Sequence, residues 1–247
     1  MKSDALPAKN RYELIDALRG TAIAMMFSFH ISYDLNHFGF ITTDFYHNPF
    51  WLNYRIVIVS TFLTVMGMSL YIAHHNGLRR DNYLHRLGWL VICAVLISIG
   101  TYFLFGRRFI YFGIIHFIAV ASVLALPFIR LYWTNLILGA GIIIVSNYVS
   151  LDVMDPRYLN WIGLMHGKPF TEDYAPIFPW FGVVLLGIFL ARWAYTEQRI
   201  RLFSQWHSRL TVFRVLRFAG RHSLIIYMVH QPVFFGTIAL IHKLTSA

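Results

Sequence analysis

Arg19 and His30 lie in one apolar run, Arg19-Gly20-Thr21-Ala22-Ile23-Ala24-Met25-Met26-Phe27-Ser28-Phe29-His30. Ionisable groups are costly in hydrocarbon, so an Arg and a His inside such a run are functional candidates. Eleven helical steps of about 100° bring His30 to within roughly 20° of Arg19, with about 16 Å of rise between them. One helical stripe then carries a cation near one membrane face and an imidazole near the other. That suits a ligand reaching partway across a bilayer. Asp34 follows His30 by four residues and shares its face. A carboxylate beside an imidazole fixes one tautomer and stabilises the imidazolium, as a general base requires.

Further polar groups interrupt the later apolar runs. His116 stands in Phe112-Gly113-Ile114-Ile115-His116, and Asp173-Tyr174 precede Pro179-Trp180. Arg221-His222-Ser223 open the last run, with Tyr227, His230 and Gln231 deeper inside it. Two groupings follow. His30, Asp34, His116 and Asp173, with His47 from a loop, suit proton transfer. Arg19, Arg79, Arg80, Arg86 and Arg221 suit an anion, for which guanidinium groups are well matched. Each has a plainer reading. An intramembrane His can simply bond a neighbouring helix, the loop arginines can be topology charges, and Asp173 can cap the helix that follows it.

The elements that must position these groups are transmembrane helices. The chain of 247 residues is 57% hydrophobic and 13% charged, where a soluble domain carries about 25% charged residues. The expected fold is therefore all-α, a polytopic helical bundle forming a single domain over 1–247. Seven stretches are long enough to span: Leu14–Asn36, Trp51–Ala73, Leu84–Phe105, Phe109–Ile129, Leu131–Val149, Tyr174–Tyr195 and His222–Leu244. The first is read as retained, because no small-residue cleavage site follows it. With the N-terminus in the cytoplasm, fourteen Lys and Arg fall on the inner side and five on the outer, as the positive-inside rule requires. Arg107-Arg108 is the outer exception.

Net charge is +10, but the charges sit in loops, so topology explains them and nucleic acid is not an expected partner. The single Cys93 excludes a disulfide within the chain. No metal is expected. Between about 196 and 220, Phe203, Trp206, Leu210 and Phe213 recur at helical spacing among basic residues. That predicts an amphipathic helix on the cytoplasmic membrane surface.

Five motifs occur in order: Ile15-Asp16-Ala17-Leu18-Arg19-Gly20, His30-Ile31-Ser32-Tyr33-Asp34-Leu35, Phe112-Gly113-Ile114-Ile115-His116, Asp173-Tyr174 through Pro179-Trp180, and Gly220-Arg221-His222-Ser223 through His230-Gln231-Pro232. Together they resemble the heparan-α-glucosaminide N-acetyltransferase catalytic-domain family in its short bacterial branch. The resemblance spans about Arg11 to Pro232. The Arg-to-His spacing is also similar to that of the wider acyltransferase-3 family. The resemblance implies transfer of an acyl group, usually acetyl, from cytoplasmic acyl-CoA to a sugar across the membrane. Lysosomal members carry Asn at the position of His30, and their proposed active His lies in the first outer loop before a Pro and a Trp. His47-Asn48-Pro49-Phe50-Trp51 looks similar, with a longer loop before it.

The resulting expectation is an integral enzyme of the bacterial cytoplasmic membrane. Acetyl-CoA or another acyl-CoA is its co-substrate, and an envelope saccharide is its acceptor. His30, oriented by Asp34, is the favoured base, and His47 competes for that role. Tyr33, His116 or Tyr227 would donate to the oxyanion. Arg19 and Arg221, with Arg79, Arg80 and Arg86, would meet the CoA phosphates. Tyr33, Asp173, Tyr174, Trp180, Tyr227, His230 and Gln231 would line the acceptor site. The lipid bilayer is the solvent, and self-association is left open. The rival readings are a transporter or flippase for a glycan-lipid or anion, and a non-catalytic membrane partner.

Overall fold

The computed structural model describes residues 12–77, 79–196 and 206–245. Every regular element among the described residues is helical. The α-helices are α1 Glu13–His37, α2 Pro49–His75, α3 Arg80–Phe105, α4 Ile114–Leu124, α5 Trp133–Tyr148, α6 Ile177–Thr196, α7 Thr211–Arg221 and α8 Ser223–Thr245. By length and composition α1, α2, α3, α6 and α8 can cross a membrane, while α4 and α5 are apolar but shorter. The all-α polytopic reading holds, and about seven membrane helices result when α4 and α5 are included.

The chain forms two compact units. One comprises the chain to Phe62 together with the chain from Tyr195 onward, and the other is Leu63–Ala194. In the first unit α1 packs along α7 and against α8. Backbones touch at the α1–α7 crossing: a Cβ on Gly20 would collide with the Leu216 carbonyl, and one on Gly220 with the Asp16 carbonyl. Only glycine permits that approach, and the small-residue crossing replaces the hydrophobic effect that lipid cannot supply. In the second unit α3 packs on α4, and α6 meets α2 and α5 through close backbone approaches at Gly187 and Gly182.

Three expectations about element boundaries need revision. The span Phe109–Ile129 is not one helix: its helical part is α4, of 11 residues, or about 16 Å. Gly113 is extended before it, and Pro127 sits in the 3-10 turn Leu126–Phe128 after it. The span beginning at Tyr174 becomes helical later, because Phe178 has extended dihedrals. Finally, the amphipathic stretch at 196–220 is helical over Thr211–Arg221, and its residues 197–205 lie outside the described residues. Its inward face, with Gly220, is buried on α1, whereas Val212, Val215 and Phe218 stay exposed.

Gly220→Ala is expected to lower the thermal midpoint by about 4–8 °C, corresponding to roughly 2 kcal/mol of overpacking. Gly236→Ala, where an added Cβ meets nothing within 4 Å, is expected to leave it unchanged. Loss of helical circular dichroism on heating reads both midpoints, and equal values for the two variants would contradict the crossing.

Candidate active site

The C-terminal end of α1 and the loop after it carry two histidine environments within the first unit. In the loop before α2, Asp44 Oδ1 accepts hydrogen bonds from the backbone N–H groups of Tyr46 and His47, both at 2.9 Å. Asp44 Oδ2 lies 2.9 Å from His47 Nδ1. A carboxylate only accepts, so Nδ1 carries the proton and the neutral ring presents a lone pair at Nε2. The His47 side chain is 85% exposed, which leaves that lone pair open to an incoming group. The turn is fastened to α1 in two places. Thr43 N–H donates to Asn36 Oδ1 at 2.7 Å, and the Tyr33 and Tyr46 hydroxyls are 2.8 Å apart.

His30 has different company. Its ring packs edge-on against His230, with centroids 4.9 Å apart. Its expected partner Asp34 is only 1% exposed and is engaged elsewhere. Gln231 Nε2 donates to both Asp34 oxygens, at 2.9 and 3.2 Å. Sharing a helical face therefore does not pair Asp34 with His30, because the amide from α8 takes the carboxylate. His230 Nδ1 lies 2.6 Å from the Tyr227 carbonyl oxygen, so Nδ1 carries the proton there too. The Tyr227 ring lies 5.3 Å from the His230 ring. Pro232 inside α8 provides no N–H to the Met228 carbonyl, loosening the helix beside these residues.

At the opposite end of α1, buried Asp16 collects two guanidinium groups. Arg221 Nε lies 3.2 Å from Oδ2, and Arg19 Nη1 lies 3.5 Å from Oδ1. Arg19 also reaches the Gly220 carbonyl at 3.4 Å. Glu13 pairs with Arg217 and His207, both at 2.8 Å. Arg19 from α1 and Arg221 from α7 thus meet on the Asp16 carboxylate. Arg79, Arg80 and Arg86 belong to the second unit, at the start of α3, and are exposed there.

Of the remaining candidates, His116 and Asp173 meet within the second unit at the start of α4. Gly113 N–H donates to His116 Nδ1 at 3.3 Å, so Nε2 carries the proton and donates to Ser98 Oγ at 2.9 Å. Ser98 passes its own hydroxyl proton to the Ile110 carbonyl at 2.7 Å. Both His116 nitrogens are therefore used in holding a helix start. Asp173 Oδ2 accepts from Ile114 N–H at 2.9 Å, so Asp173 caps α4 and not the helix that follows it in sequence. Tyr174 donates to the Asn160 carbonyl at 2.6 Å, and Tyr111 to the Asn160 side chain at 2.8 Å. Trp180 lies in the first turn of α6. The Arg107-Arg108 exception is accounted for locally: Arg108 pairs with Glu172 at 3.2 Å, and Arg157 covers the Phe109 and Tyr111 rings and reaches the Arg107 carbonyl.

Sequence reading places Asp44 in the loop with His47 and Pro49 but gives it no role, and it misses Ser98. The signal for Asp44 was present: an Asp three residues before a His, in a turn ahead of Pro49, can cap that turn with its own side chain. Ser98 gave no signal, since its partners lie beyond a helix and a turn.

Compared with known proteins, residues 11–232 match the family model for the catalytic region of heparan-α-glucosaminide N-acetyltransferase. A search among curated proteins and one among solved structures each return no match. The family match covers most of the chain, and the chain belongs to this family of transmembrane acetyltransferases.

The two backbone N–H groups on Asp44, and the His47 ring beside them, hold its carboxyl below the ordinary aspartate value of 3.8. A depressed value means that the turn gains from the anion above the ordinary range and loses that gain as pH falls through the lowered value. Carboxyl carbon NMR, with Asp44→Asn to assign the signal, is expected to show a midpoint below 3.8. A midpoint at or above that value would dissolve the turn as described.

Proposed function

From its family membership, we propose that this chain transfers an acetyl group from cytoplasmic acyl-CoA to an amino or hydroxyl group of a saccharide. The acceptor belongs to an envelope glycan or glycolipid, on the outer side of a bacterial cytoplasmic membrane. A glucosaminide is the acceptor that the family's name suggests. The observation that carries this reading is the Asp44–His47 pair: an imidazole with one tautomer held by a carboxylate and its other nitrogen exposed.

In this reading His47 Nε2 takes the proton from the acceptor amine or hydroxyl as the acceptor attacks the thioester carbonyl. A carbon–nitrogen or carbon–oxygen bond forms, the carbon–sulfur bond breaks, and the departing CoA thiolate receives a proton. Asp44 is the positioning residue that supports the imidazolium. Arg19 and Arg221 at the other end of α1 are the guanidinium groups that would meet the CoA phosphates, with Arg79, Arg80 and Arg86 as further candidates. Acyl-CoA is a substrate here, and no metal is required.

A second assignment keeps the base on α1. It is favoured by the contact between the His30 and His230 rings, inside the helix that also carries Arg19. Asp34, through Gln231, then positions His230 in place of binding His30 directly. Activity separates the assignments. With radiolabelled acetyl-CoA and the protein in proteoliposomes, His47→Ala is expected to lower kcat/KM by about 10²–10⁴-fold, the range for losing a general base. Asp44→Asn is expected to lower it less, and His30→Ala least. Full activity in His47→Ala with loss in His30→Ala would move the base to α1. Absence of transfer in the wild-type protein, with no saturable CoA binding, would favour the transport reading.

A further inference from the structure

The outer turn does more than hold His47. Around it stand aromatic rings that the acyl-transfer chemistry does not use. Phe50 and Tyr54, one turn apart at the start of α2, have near-parallel rings, with centroids 5.6 Å apart and planes inclined by 14°. Phe50 is 61% exposed and Tyr46 is 62% exposed. Trp51 braces Phe50 edge-on at 5.0 Å, and itself packs on buried Phe45 at 4.4 Å.

The hydroxyl groups of this rim are oriented. Ser28 Oγ gives its proton to the Met25 carbonyl at 2.8 Å, and it also lies 2.7 Å from the Tyr54 hydroxyl. Ser28 has one proton, so Tyr54 must be the donor in that contact, which turns the acceptor side of its oxygen outward from Ser28. Within the turn, the Tyr33–Tyr46 hydroxyl contact at 2.8 Å fixes the exposed Tyr46 ring. Tyr46 immediately precedes His47, and Phe50 follows it by three residues.

A pyranose has the complementary surface. Its axial C–H bonds give one face that stacks on an aromatic ring, and its edge carries hydroxyl or amino groups that need oriented partners. Binding sites of this type combine aromatic area with a few placed polar atoms. We propose that Phe50 and Tyr54, with Tyr46 across the turn, form the acceptor subsite: the sugar lies with its C–H face on Phe50 and its polar edge toward Tyr54, Tyr46 and the Nε2 of His47. This inference rests on the reading of His47 as the base, and it assigns the saccharide specificity to the outer turn. Aromatic residues also anchor proteins at membrane interfaces. An anchoring role would leave affinity for sugar untouched, and that difference is measurable.

The test uses the full chain in nanodiscs, with methyl glucosaminide as acceptor probe. Phe50→Ala is expected to raise the acceptor KM about tenfold, a loss of roughly 1.4 kcal/mol, with kcat within about threefold and the acetyl-CoA KM unchanged. Phe50→Tyr is expected to restore the acceptor KM. Saturation-transfer NMR with the same probe reads contact without turnover. His47→Ala is expected to retain a signal on the sugar C–H protons, and Phe50→Ala to lose it. If His47→Ala abolishes turnover but Phe50→Ala leaves acceptor KM and saturation transfer unchanged, the subsite is overturned while the acetyl-transfer reading stands. If wild-type protein shows saturation transfer that depends on Phe50 yet transfers no acetyl group, the subsite stands and that reading fails. No saturation transfer to the wild-type protein overturns the subsite outright.

Discussion

Two buried carboxylates on one helix constrain the first unit. Asp16 and Asp34 are 18 residues apart on α1, which is five turns, so they share a face about 27 Å apart along the axis. That separation is close to the roughly 30 Å thickness of a bilayer's hydrocarbon core. A carboxylate buried in such a setting must be paired or bonded, and both are satisfied from the C-terminal part of the chain. Arg221, at the end of α7, serves Asp16, and Gln231 in α8 serves Asp34. The register of α7 and α8 on α1 is thereby fixed near both ends. The glycine crossing at Gly20 and Gly220 is what allows the Asp16 end to close: Arg19 reaches Asp16 within α1, and the close backbone approach brings Arg221 of α7 to the same carboxylate. His230 stands against His30 as a consequence of the Asp34 end, since it neighbours the Gln231 that binds there.

The same geometry explains which parts of the protein were legible in its sequence. Hydropathy found the long helices because hydrocarbon thickness sets their length, and α1, α2, α3 and α8 match their expected spans closely. It overextended the fourth span, because an apolar composition does not distinguish a helix from an extended lead-in such as Phe109–Gly113, whose backbone is satisfied by Thr101, Thr171 and Phe112–Ala175 bonds. The candidate residues were found by type, and their partners were not. Asp34 was expected beside His30 because four residues make one helical turn, but the amide of Gln231, 197 residues away, competes for the same carboxylate. Asp173 was recognised as a helix cap, but of the wrong helix: the N–H it accepts belongs to Ile114. Spacing encodes which residues share a face, whereas the packing of distant helices decides which of them bond.

The two histidine environments differ in what they depend on. His30 faces His230 because α8 is held on α1 by Asp34 and Gln231, so its surroundings are a property of helix packing. The His47 pair is local. Asp44 orients both the ring and the backbone of the turn with its own two oxygens, and the hydrogen bonds from Thr43 and Tyr46 to α1 need only the C-terminal end of that helix. A base of the second kind keeps its tautomer while helices shift to admit a long substrate, and its exposed nitrogen exchanges protons with water between turnovers. The His30–His230 pair, with His230 buried and His30 half-buried, has neither freedom, since an opening that admits a ligand also disturbs the contact that orients it. For a reaction in which the acyl donor is charged on one side and the acceptor is hydrophilic on the other, this favours placing the base in the turn. On the proposed reading, the helices are then left to hold the donor, with Arg19 and Arg221 at the Asp16 end of α1.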